Sequence, residues 1–423
     1  MGVRSVLVVG GGIAGSTCAY FLARSGISTT VVERASGQRS SGSPVDVRGP
    51  ALAVVERMTA LEPIRAAATQ VHRLAAVDRD GRQIGWIPTQ ARRDAVEISR
   101  SDLAAILVSV ANEHADFRYH ESITALRQDD AGVEVTFPEA APRRFDVVIG
   151  ADGLHSTVRR LAFGPEEQFV THLGLYFGSV SLGRPSADPH TVLIHNAPGR
   201  AVVVHPSTGW EGAGFMFWHP ELPDHQRGDV ETQKQLVSRT YRDMRWRVPE
   251  LLDRLRNSDE NYFDSVCRVR LDCWSRGRTV LVGDAANSVS LFGEGSSMAI
   301  VGAATLAHVL AQQPTDIAGA LRRRCRSPQT AAVAPPRCFG RRPLARAPNR
   351  RGALGPRCRL PYVRGWGSNE DQDAPPQQHL ARRMAPPASP SRSSASGAPS
   401  QSRCCCSTGS AGGWSPRCST ANG

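Results

Sequence analysis

The apolar positions of this chain fall into short blocks separated by glycine-rich turns. Val3–Val9 is a β-branched run with no polar alternation, the pattern of a strand buried on both faces. Ser16–Ser25 carries Ala19, Phe21, Leu22 and Ala23 at helical spacing, and Gly26 follows where a C-terminal cap belongs. Thr29–Val32 is a second strand, closed by Glu33 and Arg34. Ala51–Met58 and Asp102–Asn112 read as helices, the second capped by Ser99 or Ser101. Val133–Phe137 alternates as a hairpin strand does, and Phe145–Gly150 is another buried strand. Tyr176–Leu182, Ala201–His205 and Gly214–Trp218 alternate and predict an antiparallel sheet. Arg278–Val282 is one more buried strand, and Ser296–Gln312 reads as a buried helix.

Beyond Leu321 this patterning collapses. The last 102 residues hold 14 of the 29 prolines but only seven residues from Leu, Ile, Val and Phe. That is too little apolar surface for a core, so 322–423 is expected to be a disordered tail.

Charge divides at the same place. The net +12 would by itself suggest an acidic partner such as nucleic acid. Residues 1–321 nevertheless carry 33 basic against 36 acidic side chains, and the tail 18 against 3. The body is therefore mildly acidic and the basicity is confined to the tail. The tail has no lysine and little aromatic interleaving, and Cys404-Cys405-Cys406 lacks zinc-finger spacing, so neither nucleic-acid binding nor a metal site is expected. Cys18, Cys267 and Cys273 are too scattered for a disulfide framework and fit a cytoplasmic protein. No run of 18 apolar residues occurs, so no membrane span is expected. One lysine, Lys234, stands against fifty arginines, as a GC-rich gene would give.

Chemistry enters with Gly10-x-Gly12-x-x-Gly15, which lies between the first strand and the first helix. In such a unit Gly10 permits the tight turn and Gly12 lets the backbone approach a pyrophosphate. Gly15 lets helix and strand pack closely, and Ile13 and Ala14 open the helix whose N-terminus faces the phosphates. Glu33, 23 residues past Gly10, is placed to accept from ribose hydroxyls, with Arg34 beside it. The bland reading is a glycine-rich turn in an ordinary α/β protein, which strand, helix and acidic residue together argue against. The fold class is thus α/β with a Rossmann-like nucleotide-binding domain. Two further strand-to-helix turns follow, Asp146–Arg159 with Asp152-Gly153 and Gly277–Ala286 with Gly283-Asp284.

With these three motifs in order, residues from about Ser5 to about Leu321 resemble the class A flavoprotein aromatic monooxygenases. These are the para-hydroxybenzoate hydroxylase-like enzymes, including tetracycline-modifying and polyketide-tailoring members of secondary metabolism and antibiotic biosynthesis. The resemblance implies a GR2-type FAD-binding domain over 1–75, 100–165 and 275–321. It implies an antiparallel-sheet substrate domain over 76–99 and 166–274. Gly10, Gly12, Gly15 and Glu33 would hold the ADP half of FAD, and Arg100 its flavin side. Asp152 would serve both FAD and an incoming NAD(P)H, and Asp284 the ribityl chain. Gly293, Gly295, Ser296 and Ser297 would face the flavin pyrimidine, Asp46 and Arg48 would contact the isoalloxazine, and Arg39 is a candidate for NAD(P)H. Arg100 also reads as a surface helix-start arginine, Arg39 as a solvated loop residue, and Asp152 and Asp284 as helix caps. His195, His205 and His219 receive no role, and Phe215, Phe217 and Trp218 read as core before pocket lining.

The implied reaction uses NAD(P)H and O2 to hydroxylate a small aromatic or polyketide-like molecule through a C4a-hydroperoxyflavin, with no catalytic side chain. A flavin-dependent halogenase is a weaker reading, because Lys234 lies in a charged stretch and only Trp86-Ile87-Pro88 faintly resembles that family. A noncatalytic or damaged flavin-binding protein is the remaining alternative, since the tail fits a reading-frame shift near Leu321 as well as a genuine extension. Two local departures bear on the substrate side. No proline occurs in Ser288–Phe292, and Ser297 replaces a frequent asparagine.

Overall fold

The computed structural model describes residues 2–36, 43–89, 94–207, 210–223, 229–259, 261–289, 295–312 and 316–325. Its first layer is a six-stranded sheet, in the order Ser275–Arg276, Thr279–Leu281, Val147–Gly150, Ser5–Val9, Ser28–Glu33 and Asp116–Tyr119. All neighbours pair in parallel except the first two strands. The unbroken apolar runs are explained by burial from both sides. Val6, Val8, Val147 and Ile149 pack under the helices Ile13–Arg24 and Gly295–Ala311, through Cys18, Leu22, Ala303 and Leu310. Leu7, Val9 and Val148 point the other way, onto Val133, Val135 and Phe145 of a three-stranded antiparallel sheet.

A second, eight-stranded sheet runs Ser288–Val289, Asn261–Val269, Val170–Ser181, Trp210–Trp218, Arg200–Ser207, Thr191–Ala197, Arg73–Val77, Gln83–Pro88. One face packs Tyr176, Val180, Val202, Val204, Phe215 and Phe217 against the helices Val230–Tyr241 and Val248–Arg256. Alternation sends Phe177, Ser179, Tyr262 and Asp264 to the opposite face, because Phe177 pairs with Asp264 and Ser179 with Tyr262. A ribbon of Pro44–Arg48 and Ala95–Ser99 lies beside the first layer. Its Val47 and Ile98 are fully buried against the helices Pro50–Arg57 and Arg100–Asn112.

The structure adjusts several sequence expectations. Phe145–Gly150 is not one strand: Arg143–Phe145 pairs in the hairpin and Val147–Gly150 in the parallel sheet. Arg73–Val77 already belongs to the large sheet, so the chain crosses into it earlier than residue 76. Ala95–Ser99 pairs with Pro44–Arg48 instead of the large sheet. The helix Ile317–Cys325 runs past Leu321, and Ile317 and Leu321 join the first core. The rest of the expected tail, from residue 326, lies outside the described residues. Cys18 and Cys267 are buried and form no disulfide. Phe215 and Phe217 are core residues, Trp218 is exposed, and buried His195 bonds the Val77 carbonyl.

Candidate functional site

The glycine loop leaves the C-terminal end of the central strand, the edge at which open α/β sheets bind ligands. Its three glycines have different neighbours. Gly10 has φ of +100°, and a methyl placed on it would sit 2.5 Å from the Ala151 carbonyl oxygen. A methyl on Gly15 would sit 1.9 Å from the Gly10 carbonyl oxygen. A methyl on Gly12 would meet nothing within 4 Å. Gly10 and Gly15 are therefore demanded by the fold itself, and Gly12 only by whatever occupies the space above it. Ser16 N–H donates to the Gly12 carbonyl at 2.9 Å as the helix begins. The preceding N–H groups, on Ile13, Ala14 and Gly15, have no partner within the helix, and the helix dipole favours negative charge at that end.

Glu33 ends the adjacent strand. Its Oε2 accepts the Gly11 N–H at 2.9 Å and its Oε1 the Ala35 N–H at 2.9 Å. A carboxylate has about four acceptor positions, so two hydrogen bonds orient it and leave capacity for hydroxyl donors. Arg34 is exposed beyond it.

The two other turns meet the loop at the same edge. Asp152 takes the Ser156 hydroxyl at 2.5 Å and the Val158 N–H at 3.0 Å, so it supports Ser156, which caps the helix Thr157–Ala162 by accepting the Arg159 N–H at 2.9 Å. Burial raises the Asp152 pKa, and these hydrogen bonds oppose the rise. Gly153 follows in the left-handed region, with φ of +79°. Arg100, the first residue of its helix, places Nη2 3.2 Å from Asp284 Oδ2. Both side chains are partly open, so the pair is accessible to a ligand. Ser99 is the cap, accepting the Asp102 N–H at 3.4 Å. Gly283 packs against Ala14, and Gly295 lies near Asp284.

Ser297 is buried and joins the helix Gly295–Ala311 to the ribbon. It donates to the Asp46 carbonyl at 2.9 Å and accepts the Arg48 N–H at 3.0 Å. Neighbouring Ser296 is buried as well. Ser297→Ala removes both bonds and strands a backbone N–H. The unfolding midpoint in urea should fall by the equivalent of about 1–3 kcal/mol. Arg39 and Gly293 lie outside the described residues.

Arg159 closes the segment Asp146–Arg159 and supports the site, although no motif marks it. The side chain is wholly buried. It donates to the carbonyls of Ala285 at 3.1 Å and Leu154 at 2.6 Å, and pairs with Glu166 at 3.3 Å. It thus clamps the Gly283-Asp284 turn from behind. The desolvation of burial lowers its pKa. The signal was the first arginine of the pair Arg159-Arg160, three residues after the helix-capping Ser156. No motif marks His155 either. Its ring bridges Glu166 at 2.9 Å and Asp264 at 3.4 Å. Hydrogen bonds to Asp264 and Glu166 raise its pKa from 6.5 to about 9. A raised folded-state value stabilises the protonated protein. The contribution is full below pH 6.5 and disappears as pH rises to about 9. Melting temperatures of the protein and of His155→Gln should therefore converge across that window.

The family defined by the FAD binding domain matches residues 4–321. The chain belongs to this family. A flavin-dependent monooxygenase from Legionella longbeachae is 33% identical over 309 residues, covering 71% of this chain and 79% of its own. A Mycobacterium tuberculosis protein is 38% identical over 314 residues, covering 72% and 84%. The crystal structure of the tetracycline destructase Tet(51) superposes with a TM-score of 0.69 at 32% identity, covering 76% and 86%. The protein is an FAD-dependent monooxygenase, and its resemblance to the class A flavin hydroxylases is established. The residues present fit the cofactor: the space above Gly12, the free N–H groups after it, an oriented Glu33 and an open Arg100–Asp284 pair lie along one sheet edge. The family implies O2 and a small-molecule substrate. Among the described residues no helix is long and apolar enough to cross a membrane.

Proposed function

We propose that this monooxygenase uses NAD(P)H and O2 to hydroxylate an aromatic or polyketide-like small molecule. The main support is the space above Gly12, which the fold leaves open while it fills the space beside Gly10 and Gly15. In this reading the N–H groups from Gly12 to Gly15 hold the pyrophosphate and Glu33 the adenosine ribose. Asp284, with Arg100, binds the ribityl chain, and the N-terminus from Gly295 to Ser297 stabilises negative charge on the flavin pyrimidine. Asp46 and Arg48 flank the ring from the ribbon, fixed there by Ser297. Bound FAD supplies the oxygen-activating chemistry. The protein's own part is to bind, orient and exclude water.

The substrate side is the sheet face carrying Phe177, Ser179 and Tyr262. A planar ring would pack against its aromatics. The likeness to a tetracycline destructase supports a polyketide-like substrate. Asp152 is already engaged by the Ser156 hydroxyl and the Val158 N–H, so its part in NAD(P)H binding would be to hold the turn. We place the reaction in the cytoplasm, where NAD(P)H is supplied. A second reading, a flavin-binding protein that does not turn over, is favoured by one observation. The family match stops at residue 321, where the charge balance reverses. Purified full-length chain, reconstituted with FAD, should oxidise NAD(P)H faster when tetracycline is added and transfer one atom of 18O2 to the product. Oxidation without transfer supports the second reading, and a chain that takes up no FAD contradicts both.

A further inference from the structure

One charged cluster lies outside the residues proposed to contact FAD and joins the flavin-binding layer to the large sheet. His155 lies in the loop before the helix Thr157–Ala162, and three chain segments meet at its ring. Nδ1 faces Glu166 of the short turn Glu166–Gln168, and Nε2 faces Asp264 of the strand Asn261–Val269.

Each partner is itself anchored. Glu166 pairs with buried Arg159, which also holds the Ala285 carbonyl, one residue from Asp284. That end is tied through Arg159 to the Gly283-Asp284 turn. On the other side, Asp264 Oδ1 accepts the Ser265 N–H at 2.7 Å and Oδ2 accepts the Tyr262 hydroxyl at 3.3 Å. Strand pairing puts Tyr262 and Asp264 on the face away from the helix-covered core. Burial and Asp264 raise the pKa of the Tyr262 hydroxyl, Arg100 opposes the rise and Asp284 adds to it.

We propose that His155 is a positioning residue for the monooxygenase: held between Glu166 and Asp264, it fixes the large sheet against the Gly-Asp turn and so sets Tyr262 on the sheet face proposed for the substrate. The path runs from Ala285 through Arg159, Glu166, His155 and Asp264 to Tyr262. A cation between two carboxylates suits this role, because losing it leaves two like charges facing each other across the seam. The ring is partly exposed, so replacing it opens no cavity.

This inference rests on the proposed placement of FAD. The test uses FAD-reconstituted full-length protein with His155→Gln, His155→Arg, Asp264→Asn, Tyr262→Phe and the double variant His155→Gln with Asp264→Asn. His155→Gln should shift the bound-flavin absorption spectrum and lower kcat for NADPH oxidation about tenfold or more, as small misplacements near a reacting centre do. Tyr262→Phe should give the same spectral shift. His155→Arg, which keeps the charge and both donors, should restore the spectrum and most of the rate. The double variant should be no worse than the poorer single one. A His155→Gln protein that melts lower but keeps the wild-type spectrum and kcat would overturn the proposal, as would additive losses in the double variant. If wild-type protein oxidises no NADPH, the proposed reaction fails, while the spectra and FAD affinities still decide the role of His155.

Discussion

Gly12→Ala will leave the chain folded but poorly able to bind FAD, whereas Gly15→Ala will strongly destabilise the fold. The two glycines are three residues apart and belong to one motif, yet their surroundings differ. A methyl on Gly15 would lie 1.9 Å from the Gly10 carbonyl oxygen, a backbone atom held by the sheet. The helix Ile13–Arg24 would have to leave the strand Ser5–Val9, breaking the core around Ala14, Cys18 and Val147. The cost should reach or exceed the upper end of the roughly 1–3 kcal/mol usual for overpacking. Gly12 has ordinary backbone angles, φ −76° and ψ −165°, and its methyl would meet nothing. Alanine there should alter stability by less than about 1 kcal/mol. The same methyl would occupy the approach of the pyrophosphate, and FAD affinity should fall on the order of a hundredfold, or about 2.7 kcal/mol. Melting followed by circular dichroism and FAD titration of the apoprotein separate the two outcomes. Equal loss of fold in both variants would refute this division of labour.

The second large effect is expected at Arg159. Arg159→Leu removes a fully buried guanidinium and leaves the Ala285 and Leu154 carbonyls and the Glu166 carboxylate without that donor. Breaking a buried ionic cluster on one side costs about 3–5 kcal/mol. The loss should appear as a lower urea midpoint with an unchanged slope. Because Ala285 adjoins Asp284, FAD affinity should fall too, even though Arg159 does not reach the exposed side of the site. A variant that is destabilised but binds FAD normally would show that the turn does not depend on this clamp.

Some of this was legible in the sequence because local patterning and packing agree. Val6 and Val8 face one layer and Leu7 and Val9 another, so an unbroken apolar run could only be a doubly covered strand. Glycines forced by contact, such as Gly10 and Gly15, leave a mark that spacing reveals. Interactions spanning long separations leave none. Nothing local pairs Arg100 with Asp284, sets Ser297 on the ribbon, or brings His155 to Asp264. Arg159 looked like an ordinary helix residue because its burial depends on the distant turn at Ala285. The break after Phe145 was hidden because Phe145 and Val147–Gly150 are all buried and only their strand partners differ.

The most direct test is a crystal structure of the full-length protein with FAD bound. The pyrophosphate should lie over Gly12 at the start of the helix Ile13–Arg24, the adenosine ribose on Glu33 and the ribityl chain at Asp284. FAD bound with its pyrophosphate away from Gly12, or with Asp284 still paired only to Arg100, would contradict the account.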